Sequence, residues 1–198
     1  MKALIITFVI LAAIAGIVIL IVISGVNKVV TLDVAADKAW ADVENQYQRR
    51  FDLIPNLVET VKGVAGFEKE TYIAVTEARA KAGEIKITPD MLSDPKSFQQ
   101  FQAAQDGLSG ALSRLLVTVE NYPELKASEN FQTLQAQLEG TENRIAVERR
   151  RYNKTAQEFN EYILKIPGMF WASMRGLTTP KEYFEAATGA ETAPAVKF

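Results

Sequence analysis

The sequence predicts an all-α protein in which an N-terminal transmembrane helix precedes an antiparallel, up-and-down bundle of long helices. Residues 3–23 contain no charged side chain, and at about 1.5 Å per residue a helix of this length spans about 30 Å, the thickness of a hydrocarbon core. Beyond this run, apolar residues recur at alternating steps of three and four, as they do in helices, and do not alternate as in strands. We therefore expect an anchor at 1–26, a helical bundle at 27–187 and an extended tail at 188–198.

The apolar run could also be a secretory signal peptide. The apolar region of a signal peptide is usually about 7–15 residues long, which is shorter than residues 3–23. Ser24 and Gly25 are small enough for a cleavage site, but the neighbouring Ile21 and Ile23 fit such a site poorly. We therefore expect an uncleaved, single-pass anchor that contacts the lipid bilayer through residues 3–23.

Lysines flank the anchor on both sides. Lys2 precedes the apolar run, and Lys28 and Lys38 follow it. Because positive residues favour the cytoplasmic side, the two orientations have nearly equal support. With the N-terminal amine added to the side of Lys2, we expect the bundle on the extracytoplasmic side.

A first bundle helix is predicted over residues 40–82, where apolar residues form a coiled-coil-like seam with a period of about 3.5. Arg50 and Glu68 occupy seam positions and interrupt it with charge. Pro55 lies inside the pattern, which resumes at once, so we expect a kink and no helix end there. Gly83 follows the last periodic residue and marks the end.

Two further helices have clear boundary signals. Asp94 followed by Pro95 predicts the N-cap and first residue of the second helix, which should end before Pro123. Ser128 is predicted to cap a third helix that continues to Ile166, where a Pro-Gly pair breaks it.

Short loops between three long helices predict that the first and third run parallel, with the second antiparallel between them. A short helical turn is expected over residues 181–187, and residues 192–198 are expected to be extended.

Composition excludes several classes of function. The chain has no histidine and no cysteine, which rules out Ser-His-Asp triads, thiol nucleophiles and metal sites that need imidazole or thiolate. The net charge of −2 gives no overall field that would recruit nucleic acid. We therefore expect a protein that is not an enzyme, has no cofactor or metal and binds no nucleic acid.

Several long motifs resemble the signature of the LemA family. The resemblance begins with AWADVENQYQRRFDLIPNLVETVKG at residues 39–63 and continues with TEARAKA at 76–82, ENRIAVERRRYN at 142–153, YFEA at 183–186 and the spacing of Pro194, Val196 and Phe198. Phe67 departs from the family pattern, in which histidine is common at this position. The resemblance implies a bacterial single-pass inner-membrane protein with a LemA-type helical bundle, and it implies no catalytic motif.

Arg50 is the first candidate for a functional site. It could form a clamp for an anionic ligand or a lipid headgroup, but we expect instead that it pairs with a carboxylate and fixes the register of the helices. Glu148 also lies on a seam. With the first and third helices parallel, an offset of about 25 Å would make an Arg50–Glu148 pair intermolecular.

Glu68 and Glu148 would then lie at one level, where a carboxylate metal site is conceivable. Arginines such as Arg144 lie close by in the sequence, and we expect them to neutralise these carboxylates instead. Arg50, Glu68, Arg144 and Glu148 are therefore candidates for structural ion pairs.

The C-terminal region contains a second group of candidates. Met169, Phe170, Trp171 and Met174 follow the third helix, and they form either a cap on the bundle or a surface for a neighbouring subunit or lipid. The apolar residues of the tail, Pro194, Val196 and Phe198, are candidates for docking onto a neighbouring subunit.

Together these features favour a membrane-anchored scaffold without enzymatic activity that assembles into a homo-oligomer. The alternative is an adaptor or accessory subunit of another membrane protein, such as a protease or a sensor. An enzyme that uses Glu68 and Glu148 is the third and least favoured hypothesis.

Overall fold

The computed structural model describes residues 2–185, without the side chains of Ala3 and Pro89. All regular structure in this part of the chain is helical, which confirms the predicted fold class. The α-helices are α1 (Lys2–Lys62), α2 (Lys69–Glu84), α3 (Pro95–Val119), α4 (Pro123–Lys126), α5 (Glu129–Leu164) and α6 (Gly168–Arg175), and a 3-10 helix covers Pro89–Ser93.

The apolar run and the first bundle helix form one continuous helix, α1. This is the one helix among the described residues that is long and apolar enough to cross a membrane, and its apolar window is unburied within a single chain. Pro55 lies inside α1, which continues to Lys62. The prediction that this proline does not end the helix is therefore confirmed.

The prediction that the first bundle helix extends to Ala82 is wrong. α1 ends at Lys62, and α2 begins only at Lys69. Gly66 has a φ of 80°, which lies in the left-handed region where glycine has no steric penalty. The buried ring of Phe67 fixes this turn, with the ring of Tyr122 4.9 Å away, and the Tyr122 hydroxyl donates a hydrogen bond to the Gly66 carbonyl (2.9 Å).

The extra turn reverses the predicted direction of the third long helix. Tyr47 of α1 contacts Arg149 of α5, and Arg50, farther along α1, contacts Glu142, which lies earlier on α5. α1 and α5 therefore run antiparallel in this region. The prediction of a parallel arrangement is wrong because it counted α1 and α2 as one helix.

The boundaries of the second and third predicted helices are confirmed. The Asp94 carboxylate accepts a hydrogen bond from the Ser97 amide at the start of α3 (3.0 Å). The Ser128 hydroxyl accepts one from the Phe131 amide at the start of α5 (3.2 Å). The short helices α4 and α6 are additions that the sequence patterns did not predict.

The described residues divide into two compact units, one formed by 2–39 and 154–181 and the other by 40–153 and 182–185. We call them the anchor unit and the bundle unit. The anchor unit has a small apolar core in which Val29 and Leu32 of α1 pack with Phe159 and Ile163 of α5 and Ala172 of α6.

The bundle unit has a larger core made by α1 to α5. At one end of this core the Trp40 ring lies 5.5 Å from Phe101, 5.4 Å from Tyr152 and 5.9 Å from Phe184. Phe184 comes from the segment after α6, so this segment contributes to the core without forming a helix.

The predicted helical turn over residues 181–187 is wrong in its described part, because residues 181–185 are not helical. The reason is that the side chain of Asn153 bonds the backbone amide and carbonyl of Phe184, so these groups take no part in helical hydrogen bonds. The Phe184 amide donates to Asn153 Oδ1 (2.9 Å), and Asn153 Nδ2 donates to the Phe184 carbonyl (2.8 Å). Residues 186–198, which include Pro194, Val196 and Phe198, lie outside the described part of the chain.

Replacement of the α5 cap tests this account of the helix boundaries. Ser128→Ala should lower the free energy of unfolding by about 1 kcal/mol because the Phe131 amide loses its acceptor. Urea unfolding of the detergent-solubilised protein, followed by circular dichroism, measures this change. Ser113→Ala is the matched control, since Ser113 is exposed within α3 and bonds the carbonyl of Ser109 four residues earlier. Equal effects of the two substitutions would contradict the capping role.

Candidate functional site

The bundle unit contains a fully buried guanidinium, that of Arg50. Its Nη1 donates to Glu142 Oε1 at 2.7 Å and to Ser109 Oγ at 2.6 Å. Its Nη2 donates to the Gln105 side-chain oxygen and, at 3.4 Å, to the Gln105 carbonyl. The four contacts connect α1 to α3 and α5.

A second arginine continues this polar layer. Arg149 of α5 donates from Nε to the Tyr47 hydroxyl (2.6 Å) and from Nη2 to Asp106 of α3 (2.8 Å). Its guanidinium lies 4.8 Å from the centre of the Phe184 ring. The Arg50 guanidinium lies over the Tyr47 ring, 5.1 Å from its centre.

Burial and neighbouring groups together set the protonation of Tyr47 and Arg149. Removal from water raises the pKa of Tyr47 to about 12, although the positive charges of Arg149 and Arg50 act in the opposite direction. For Arg149, burial opposes the charge, but Tyr47 and Asp106 outweigh it and raise the pKa of the guanidinium. Tyr47 is therefore a neutral phenol and Arg149 is charged over the physiological pH range.

This arrangement can fix helices in register, and it offers little to a ligand. Every Nη contact of Arg50 is to an acceptor of the same chain, and its remaining donor, Nε, is buried without a hydrogen-bond partner. A clamp for an anionic ligand needs donors that point into an open site. The geometry therefore favours the structural interpretation of Arg50.

The pairing partner of Arg50 differs from the one considered from the sequence. Glu142 takes this place within one chain, six positions before Glu148 on α5. Glu148 itself pairs with Arg151 one turn later (2.9 Å). The idea that Arg50 needs a partner from another chain is wrong, because it rested on a parallel arrangement of α1 and α5.

The other predicted ion-pair candidates contact residues other than Arg50. Arg144 contacts the Gln46 side chain (3.3 Å) and the Thr141 hydroxyl (3.4 Å). Glu68 precedes α2, where it accepts a hydrogen bond from Thr71 (3.3 Å). Glu68 and Glu148 are not brought together, and no group of three or more metal-ligating side chains occurs among the described residues.

Sequence reasoning missed the partners of both arginines. Glu142 lies in the motif at residues 142–153, and nothing in that motif indicates its role. The other partners, Gln105, Asp106, Ser109 and Tyr47, belong to different helices from the arginines they contact or carry no distinguishing sequence signal. One feature of the sequence does point to the polar layer. Gln105 lies between Phe101 and Leu108 at helical spacing, so it is a polar residue at a seam position.

The bundle unit also has an open groove between α2 and α3 with a volume of about 570 Å³. Its wall includes the apolar Ala74 and Val117 and the charged Glu68, Glu70 and Arg114. Val117 is 71% exposed, so an apolar side chain of the groove is open to solvent.

The anchor unit contains the predicted aromatic segment, which forms α6. Trp171 is half-buried and packs against the core of this unit, whereas Met169, Phe170 and Met174 are exposed. The two interpretations of this segment, a cap and an exposed surface, thus apply to opposite faces of one helix.

A lysine after α6 is held in place by two carboxylates of α1. Lys181 Nζ lies 2.9 Å from Asp33 and 2.8 Å from Asp37, and the Lys181 amide donates to Asn160 Oδ1 (2.7 Å). Burial lowers the pKa of Lys181, but the two carboxylates outweigh it and the net shift is upward. This cluster closes the anchor unit at its C-terminal end.

Removal of the charge at Glu142 tests the role of the buried arginine. Glu142→Gln should lower the free energy of unfolding by about 1–3 kcal/mol, less than for a fully buried pair, because the Glu142 side chain is 37% exposed. Urea unfolding measures the change, with Glu139→Gln as the control, since Glu139 is exposed one turn earlier on α5 and bonds Gln135 of the same helix.

The double variant Arg50→Met, Glu142→Leu separates a structural pair from a functional one. Apolar residues of similar size can replace a buried ion pair at little cost, so this variant should recover much of the stability that Glu142→Gln loses. A double variant that is as unstable as a single charge-removing one would contradict this account.

The raised pKa of Tyr47 predicts a loss of stability in alkali. The unfolded phenol loses its proton near pH 10, whereas the folded one keeps it up to about pH 12. Between these values the unfolded state binds fewer protons, so stability should fall as the pH rises from 10 to 12. Tyr47→Phe should show a shallower fall over this range in urea unfolding. An unchanged slope would show that other groups dominate.

Comparison with known proteins agrees with the fold and the motifs. Magnetosome protein MamQ of Magnetospirillum gryphiswaldense is 26% identical over 179 residues, which cover 82% of this chain and 66% of the relative. Magnetosome protein MamQ 2 of Paramagnetospirillum magneticum is 26% identical over 182 residues, covering 84% and 66%. Protein LemA of Metamycoplasma hominis is 28% identical over 126 residues, covering 64% and 52%.

The chain thus spans slightly less than two thirds of the length of the MamQ relatives. The profile of the LemA family matches residues 39–198, a range that contains the whole arginine layer and α6. This range is most of the chain, and the protein is therefore a membrane-associated helical protein that belongs to the LemA family.

Proposed function

We propose that this protein is a membrane-anchored helical scaffold without enzymatic activity that assembles into a homo-oligomer at a bacterial inner membrane. The observation that carries the proposal is the spanning part of α1. Its large apolar side chains from Leu4 to Ile21 are exposed in a single chain, and the same helix continues into the folded part of the anchor unit. A contact between two anchors would therefore orient the parts of both chains that lie outside the bilayer.

Membrane confinement favours such contacts. An anchor restricts copies to two dimensions, which raises their effective concentration. Ala12 and Gly16 lie four residues apart on the exposed helix, and an added Cβ at Gly16 would meet nothing within 4 Å. Small residues at this spacing allow helix backbones to approach closely in a membrane.

The polar residues of the bundle unit support a structural role. The most deeply buried charge, Arg50, binds acceptors of its own chain, and the chain has neither histidine nor cysteine to act as base or nucleophile. Two relatives are named as magnetosome proteins. By analogy we propose that this chain serves the organisation of a cellular structure, with its bundle on the extracytoplasmic side.

One observation favours a second candidate function, that of an adaptor for another membrane protein such as a protease or a sensor. The groove between α2 and α3 combines exposed apolar and charged side chains, and its volume lies in the range of binding clefts, about 300–1,000 Å³. A segment of a partner protein could occupy it.

Energy transfer between labelled copies in lipid vesicles tests self-assembly. The chain has no cysteine, so Glu77→Cys, at an exposed position of α2, gives one labelling site. Transfer between donor- and acceptor-labelled full-length chains should exceed that of randomly placed chains, and unlabelled protein should reduce it. Gly16→Ile should weaken association about tenfold, equivalent to about 1.4 kcal/mol.

Val18→Ile is the control, since it adds one methylene to an exposed position on a different face of the same helix. Transfer at the random level in lipid would refute self-assembly. Recovery of a stoichiometric partner protein from native membranes in that case would support the adaptor function instead.

A further inference from the structure

α6 has two chemically distinct faces. Gly168 and Ala172 are buried, and Trp171 packs into the core of the anchor unit. On the other side Met169 is 46%, Phe170 55% and Met174 64% exposed. Large apolar side chains on the outside of a short helix mark an interaction surface.

The end of α5 extends this surface. Leu164, the last residue of α5, is 65% exposed, and Ile166 in the following turn is 75% exposed. We call Leu164, Ile166, Met169, Phe170 and Met174 the apolar foot of the anchor unit. All five belong to a continuous stretch of eleven positions, so the foot is a local feature of the chain.

Contacts within the anchor unit place this stretch beside the part of α1 that follows the apolar run of residues 3–23. Gly25 lies two residues beyond that run, and a Cβ at Gly25 would lie 2.3 Å from the Trp171 indole nitrogen. The indole therefore rests directly on the α1 backbone. The Tyr162 hydroxyl also donates to the Gly25 carbonyl (3.4 Å), so α5 approaches the same position.

The residues around the foot include exposed basic side chains, which suit the headgroup region of a bilayer. Arg175 is exposed in the last turn of α6, and Lys28 lies one turn beyond Gly25 on α1. Lys165, between Leu164 and Ile166, is also exposed and pairs with Glu161 (2.9 Å). Lysine and arginine beside apolar side chains are typical of segments that lie in the headgroup region.

We propose that the apolar foot lies in the headgroup–acyl boundary of the leaflet from which α1 emerges. The occupant of this surface is lipid, because Trp171 beside the foot rests on Gly25, two residues beyond the apolar run that is long enough to cross a bilayer. The inference therefore rests on the membrane anchor of the proposed function. Insertion would cover the exposed side chains and would hold the anchor unit at a fixed depth. The proposal does not depend on self-assembly, since all of its contacts lie within one chain.

Site-specific quenching in lipid tests the foot. Phe170→Cys and Met174→Cys, each the only cysteine in the full-length chain, are labelled with bimane and placed at one chain per nanodisc. The lipids contain a nitroxide near the top of the acyl chain, because interfacial helices insert about 5–10 Å into this boundary. Val34→Cys is the control, at 58% exposure on α1 and more than two turns beyond Gly25.

Both foot labels should be quenched several-fold more strongly by the nitroxide lipid than the Val34 label, and less strongly by iodide in the water. Labels at Phe170 and Met174 that are quenched no more than the control would overturn the proposal. Protection from iodide without lipid quenching would also overturn it, since it would show that protein covers the foot. Circular dichroism confirms that each variant is folded, and the two foot positions provide independent tests.

Discussion

The buried guanidinium of Arg50 is the constraint on which the bundle unit depends. A charge removed from water requires hydrogen-bond acceptors, and here Glu142, Ser109 and Gln105 supply them from two other helices. A shift of α5 by one turn would separate Glu142 from Arg50 and leave the charge unpaired. Such a pair contributes more to the choice of one helix register than to overall stability.

The anchor unit is organised by close packing and a separate ion cluster. Gly25 has no side chain, and this absence allows the Trp171 indole to lie against α1. Lys181 then closes the unit through Asp33 and Asp37. These contacts hold α6 in one orientation, with its indole directed inward and its other large apolar residues outward. The outward residues are consequently exposed.

Local chemistry explains which helix boundaries could be predicted. Asp94 and Ser128 are caps whose bonds reach only three residues along the chain, so their sequence context is sufficient. The break before α2 was missed because apolar spacing continues across it. Gly66 and Phe67 form the turn only together with Tyr122, which is distant in sequence. That single error reversed the predicted direction of α5 and removed Glu142 from consideration as the partner of Arg50.

The sequence by itself determined the helical class, the apolar run of residues 3–23, most helix boundaries and the absence of histidine and cysteine chemistry. These properties follow from composition and from spacing within one element. Tertiary structure alone decided that Arg50 pairs with Glu142 and that α6 directs Trp171 inward and Phe170 outward. Both outcomes depend on how helices that are far apart in sequence meet, and hydrophobic periodicity identifies the apolar face of a helix without specifying which helix it faces.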